Sequence, residues 1–143
     1  WIATIDKFQH WVYENPTHSL AEREENWRSI LNDYTSIALD VSGLEEYRRY
    51  SWQRQLHLYE VPFYYIEYGI AQLGAIGLWK QFKEDKQKAI SNYINALQLG
   101  GTKTLPQLYE AAGLKFSFSP DYISELMLFV QDEMEKITHP VVK

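Results

Sequence analysis

Gln55-Leu56-His57-Leu58-Tyr59-Glu60-Val61-Pro62-Phe63-Tyr64-Tyr65-Ile66-Glu67-Tyr68-Gly69-Ile70-Ala71-Gln72-Leu73-Gly74 is the stretch that decides the reading of this chain. A histidine stands before a proline, and a long apolar run follows. Proline is tolerated in a first helical turn, where its missing N–H would have no intrahelical partner. The run therefore predicts the longest helix over residues 62–82, entered from a loop over 57–61. Gly69, Gly74 and Gly77 lie inside that helix. Each costs about 1 kcal/mol relative to alanine, which points to close backbone packing or a crowded cleft wall. Tyr64 and Tyr68 are four apart, and Tyr65 and Tyr68 three apart, which sets hydroxyls on neighbouring turns of one face.

Helical periodicity continues on both sides. Ile2, Ile5, Phe8 and Val12 step at three and four, and Asn15-Pro16 ends that helix. Ser19-Leu20-Ala21-Glu22 is a capping-box pattern. It opens a second helix whose apolar face carries Trp27, Ile30, Leu31, Tyr34 and Ile37, broken at Asp40-Val41-Ser42-Gly43. A third helix is expected over residues 44–56, with Tyr47, Tyr50 and Leu56 among its apolar positions. Residues 86–99 form a fifth, stopped by Gly100-Gly101. Thr104-Leu105-Pro106-Gln107 starts a short sixth, capped by Gly113, and Ser119-Pro120 starts the last. Leu126, Phe129, Val130 and Met134 give that last helix its apolar stripe. The expectation is an all-α fold of about six or seven helices, forming one compact lobe over residues 1–143 without internal repeat or linker.

Bulk properties narrow the function classes. Of 143 residues 45% are hydrophobic, enough for a core, and 15% are aromatic, which favours aromatic-lined clefts. A net charge of −5 disfavours a general nucleic-acid binder. The absence of cysteine removes disulfide scaffolds and thiolate metal sites, and is compatible with a cytoplasmic origin. The apolar run over 61–79 is long enough to raise a membrane span, but Glu67, Gln72 and its three tyrosines oppose one. No membrane partner is expected.

The candidate chemistry lies in His57, Tyr64, Tyr65 and Tyr68. Buried hydroxyls require partners, so a plain core would use Phe or Leu at these positions. One imidazole and three phenols beside a helix N-terminus can instead donate hydrogen bonds to an oxyanion. A tyrosine-rich core helix with satisfied hydroxyls explains the same spacing, and spacing alone leaves both readings open. Glu14 with His18, and His57 with Glu60, have ligand-like spacing, but two side chains do not make a structural zinc site, which needs four. His10 and His139 read as surface histidines. Arg48, Arg49 and Arg54 could hold a peptide carboxylate but read better as partners of Glu45 or Glu46. No Gly-x-Ser-x-Gly or P-loop spacing occurs.

The central segment also carries a resemblance. Trp52-Gln53-Arg54-Gln55-Leu56-His57, followed by Glu60-Val61-Pro62-Phe63-Tyr64-Tyr65-Ile66-Glu67-Tyr68-Gly69-Ile70-Ala71-Gln72-Leu73-Gly74-Ala75, resembles the C-terminal part of oligoendopeptidase F, in the thimet oligopeptidase group of zinc metallopeptidases. Phe8-Gln9-His10-Trp11-Val12-Tyr13, Tyr93-Ile94-Asn95-Ala96-Leu97-Gln98-Leu99-Gly100-Gly101 and Leu108-Tyr109-Glu110-Ala111-Ala112-Gly113 are similar to flanking helices of that family. The family's His-Glu-x-x-His zinc motif does not occur in these residues, and the first residue is Trp1. The resemblance implies the C-terminal catalytic-lobe fragment of a zinc endopeptidase acting on oligopeptides. Its zinc ligands would lie outside these residues, and the isolated chain would bind no zinc and be inactive. It implies His57, Tyr65 and Tyr68 as catalytic donors to the tetrahedral intermediate, with Tyr64 and His57 on the substrate. Partners would be the oligopeptide, the N-terminal remainder of the polypeptide and, through an uncovered helix over 64–79, a second copy. The alternative is a stand-alone helical module that binds a protein or peptide.

Overall fold

The structure, a computed structural model, describes residues 1–138. It is 72% helical, with eight α-helices and no strand among the described residues, as the periodicity requires. The helices are α1 (Ile2–Glu14), α2 (Leu20–Asp33), α3 (Glu45–Arg49), α4 (His57–Glu60), α5 (Ile66–Glu84), α6 (Lys86–Leu99), α7 (Leu105–Ala111) and α8 (Pro120–Thr138), with a 3-10 turn at Ser51–Arg54. Two compact units make up the chain, Trp1–Gly69 and a second from Ile70 onward.

In the first unit, α1 and α2 face each other through Ile5, Phe8, Trp27, Ile30 and Leu31, joined by Trp52 in one buried cluster. Phe8 meets Trp27 edge-on at 5.0 Å and Trp52 in a tilted arrangement at 5.6 Å. Edge-to-face ring pairs add about 0.5–1.5 kcal/mol beyond area burial. The Trp27 indole is fully buried, so its N–H needs an acceptor, and it donates to Arg48 O at 2.9 Å. The capping box at the head of α2 forms as the sequence predicts. Glu22 N donates to Ser19 Oγ, and the Glu22 carboxylate takes the Ser19 N–H at 2.7 Å. Tyr34 and Ile37, expected on the apolar face, are exposed, because α2 ends at Asp33 before reaching them.

The continuous third helix expected over 44–56 is two short pieces. Five residues of α3 give way to the 3-10 turn, and His57 then opens the one-turn α4 where a loop was expected. The 3-10 turn, tighter than an α-helix, carries the buried Trp52, and Arg48 O just before it accepts the Trp27 indole N–H at 2.9 Å.

The second unit draws on α5, α6, α7 and α8. Of the glycines of α5, Gly74 and Gly77 mark close approaches, as expected, whereas a methyl at Gly69 would make ordinary contacts, 3.4 Å from Ile2. A methyl at Gly74 would sit 2.5 Å from the Tyr109 hydroxyl, and one at Gly77 would sit 3.0 Å from Leu114. The Tyr109 hydroxyl donates to Ile70 O at 2.8 Å. The Gln81 amide donates to Gly113 O at 2.5 Å, closing the end of α7. Trp79 meets Phe129 edge-on at 4.8 Å. Of the stripe expected on α8, Leu126 is buried while Met134 is exposed. Glu133 is buried and paired with Lys83 at 2.6 Å and Lys136 at 2.8 Å, tying α8 to α5.

Candidate functional site

The helix predicted over 62–82 begins four residues late, at Ile66. Pro62 is therefore not in its first turn. Phe63 adopts φ +60°, a left-handed conformation that no helix continues through. A distant residue holds this turn. Gln9 of α1 is 3% exposed, and its Oε1 accepts the Phe63 N–H at 2.8 Å. The Phe63 ring is clasped between His10 at 4.9 Å and Tyr13 at 5.0 Å.

This turn changes how the tyrosines are presented. Only Tyr68 stands on α5, while Tyr64 and Tyr65 lie in the bend before it. The helical face drawn from their spacing is absent, yet the rings still gather. His57 meets Tyr65 at 4.7 Å and Tyr68 at 5.8 Å, both edge-on. Tyr65 meets Tyr68 at 5.2 Å, and Tyr64 meets Tyr68 at 6.5 Å. Tyr65 packs against the core cluster of the first unit. Tyr64 and Tyr68 are 53% and 49% exposed, so neither is a core residue. Among the described residues the three hydroxyls take no hydrogen-bond partner. The arrangement thus combines one half-buried imidazole with phenolic donors that remain available to a bound group.

Within α4, burial pushes the Tyr59 phenol above its ordinary value, with the Arg23 guanidinium acting in the opposite direction. Two residues that the sequence reading passed over complete the site. Gln55 lies within hydrogen-bond distance of His57, its amide nitrogen 2.7 Å from Nδ1. Trp1 donates its indole N–H to Gln55 Oε1 at 2.9 Å. The available signal was Gln55-Leu56-His57 itself, an amide two residues from an imidazole.

The other candidates have local roles. His18 is held by Asn15 O and accepts from Arg23 Nε at 2.7 Å, which engages both ring nitrogens. Arg49 pairs with Glu46 as expected, at 3.8 Å, but also with the buried Glu24 of α2. Arg48 bonds Asn32 and Thr35 rather than Glu45, and Arg54 lies over the Trp1 ring at 5.0 Å. His10 is exposed, as expected, and His139 lies outside the described residues. No group of three or more His, Asp or Glu side chains that could hold a metal occurs among the described residues. No helix among them is long and apolar enough to cross a membrane.

Comparison with known proteins places this chain in a family. Residues 1–128 match the model of peptidase family M3. An oligoendopeptidase F homolog of Borreliella burgdorferi is 32% identical over 79 residues, 55% of this chain and 13% of the relative. A 3.1 Å X-ray structure of an oligoendopeptidase F aligns over 94% of this chain at TM-score 0.79 and 36% identity. The structure of PZ peptidase A with an inhibitor aligns over 92% at TM-score 0.75 and 33% identity. The chain spans about a quarter of the length of each solved relative, 24% in both cases. The chain belongs to peptidase family M3.

Proposed function

We propose that this member of peptidase family M3 contributes the transition-state-binding wall of an endopeptidase acting on oligopeptides. The observation that carries the reading is the convergence of His57, Tyr65 and Tyr68, with ring centroids 4.7 to 5.8 Å apart, in a family of peptidases. When water adds to a peptide carbonyl, negative charge develops on the carbonyl oxygen. N–H and O–H donors aimed at that oxygen act chiefly in the transition state. His57 and the phenols of Tyr65 and Tyr68 are such donors. Tyr64, more exposed at the mouth of the same cluster, contacts the substrate together with His57. Fixing the donors on a turn anchored to α1 by Gln9 avoids reorganisation during the reaction.

Zinc, which the family resemblance implies, is assigned no ligands among the described residues. The chain has no cysteine and no metal-binding group of three among the described residues. In this reading its ligands belong to the remainder of the whole polypeptide, and only the donors of this chain are assigned roles. That remainder is the main partner. Exposed apolar side chains such as Leu97 and Leu128 support further contacts with it or with a second copy. A cytoplasmic location completes the reading.

The test is kinetic, in the whole enzyme. His57→Ala, Tyr65→Phe and Tyr68→Phe are each expected to lower kcat with KM near parental. Loss of one donor costs about 10²–10³ in kcat. Tyr→Phe deletes only the hydroxyl, so packing is retained. Near-parental kcat in all three variants would make the cluster structural and the reading wrong.

A further inference from the structure

An indole N–H can only donate a hydrogen bond. When Trp1 Nε1 donates to Gln55 Oε1 at 2.9 Å, it commits that oxygen as an acceptor and fixes which way the amide faces. The Gln55 amide nitrogen then lies toward His57 Nδ1, 2.7 Å away. An amide NH2 offers two hydrogens and no acceptor. His57 Nδ1 must therefore carry the lone pair. A neutral imidazole has one N–H, and here it falls on Nε2. That nitrogen takes no hydrogen bond among the described residues.

We infer that Gln55, oriented by Trp1, is a positioning residue that holds neutral His57 in its Nε2–H tautomer, so that Nε2 is a hydrogen-bond donor. The inference rests on the proposed role of His57 toward an oxyanion and specifies which atom performs it. With the amide reversed, its oxygen would face Nδ1 and draw the proton there. Nε2 would then present a lone pair, which repels an oxyanion. The unreversed arrangement is braced at both ends. The Trp1 ring stands edge-on against the buried Trp27 at 5.7 Å with the Arg54 guanidinium 5.0 Å above it. The Gln55 backbone N–H is bonded to Trp52 O at 3.0 Å, and the His57 ring is packed against Tyr65 and Tyr68. A histidine whose second nitrogen is held by a fixed partner has its tautomer set by that bond.

The experiment reads the tautomer directly. Nitrogen-15 imidazole spectra of the full chain, taken at a pH where the ring is neutral, distinguish a bare ring nitrogen from a protonated one. The expected result is bare Nδ1 and protonated Nε2. Gln55→Glu keeps the size of the side chain and an acceptor for the Trp1 indole, so the fold should persist, as the backbone amide spectrum would show. Its carboxylate accepts from Nδ1, and the proton is expected to move there. A parental ring already protonated on Nδ1, or a Gln55→Glu ring still protonated only on Nε2, would overturn the inference. In the whole enzyme at the same pH, Gln55→Glu is expected to lower kcat about 10²-fold, as for loss of one oxyanion donor, with KM close to parental. A raised KM at unchanged kcat would overturn the positioning role. The spectra need neither substrate nor metal, so they stand apart from the His57→Ala kinetics. Nε2–H spectra alongside an active His57→Ala enzyme would refute the oxyanion reading alone.

Discussion

The unit Trp1–Gly69 buries Ile5, Phe8, Trp27, Ile30, Leu31 and Trp52 in one contiguous cluster, whereas the unit from Ile70 onward, among its described residues, buries one large apolar side chain, Leu126, besides Gly77, Ala89, Ala112 and Glu133. The two are held by different physics. Aromatic side chains bury large apolar areas each, so the first unit has a core of its own, and the donor turn at Phe63 hangs on it through Gln9. The second relies on close backbone approaches at Gly74 and Gly77 and on the Glu133 ion pairs. It leaves Ile94, Leu97, Leu128 and Ile137 exposed. The contrast teaches that the half carrying the candidate chemistry is the half with a contiguous aromatic core, which suits preorganised donors.

The largest expected effect breaks the first core. Trp27→Ala removes a fully buried ring and the N–H bonded to Arg48 O, and is expected to destabilise by about 3–5 kcal/mol in urea unfolding. Leu126→Ala in the second unit should fall at the low end for its type, about 2 kcal/mol, because a sparsely packed site relaxes more readily. Equal costs for the two would erase the contrast.

A smaller effect sharpens the account of the second unit. Gly74→Ala places a methyl 2.5 Å from a Tyr109 hydroxyl that is bonded to Ile70 O. Overpacking costs roughly 1–3 kcal/mol, and the better helix propensity of alanine returns up to about 1 kcal/mol. A net loss of about 1–2 kcal/mol is expected. A stabilised Gly74→Ala variant would show that Tyr109 yields easily.

The subtlest test is electrostatic. Hydrogen bonds from Lys136 and Lys83 lower the Glu133 carboxyl below its ordinary value of 4.5. A group with a lowered folded value contributes stability above its unfolded pKa and loses it as pH falls through the folded one. Protection of the α8 amides against exchange should therefore fall below about pH 4.5. Glu133→Gln should flatten that dependence. Carboxyls also lowered at Glu22 and Asp40 belong to the other unit, so the α8 amides separate the two. An unchanged pH profile in Glu133→Gln would remove the ion pairs from the account.

The sequence disclosed what is local. The Ser19–Glu22 box, the stop at Gly100 and the Thr104 and Ser119 starts all appear where their chemistry required. What it hid is long-range. Nothing in the periodicity of residues 62–82 shows that Gln9, 54 positions away, captures the Phe63 N–H and delays α5 to Ile66. The tyrosines were legible as a cluster, but not their placement, because the left-handed residue depends on that contact. Gln55 was missed because its role requires Trp1, also 54 positions distant.

In this reading His57, Tyr65 and Tyr68 bind the transition state far more strongly than the substrate. The most direct measurement is the inhibition constant of an oligopeptide phosphinate, whose tetrahedral anion mimics the intermediate, for the whole enzyme and its His57→Ala variant. The constant is expected to rise about 10²–10³-fold, in proportion to the fall in kcat/KM, while affinity for the substrate peptide changes far less. Unchanged phosphinate binding beside unchanged kcat/KM in a folded His57→Ala enzyme would contradict it.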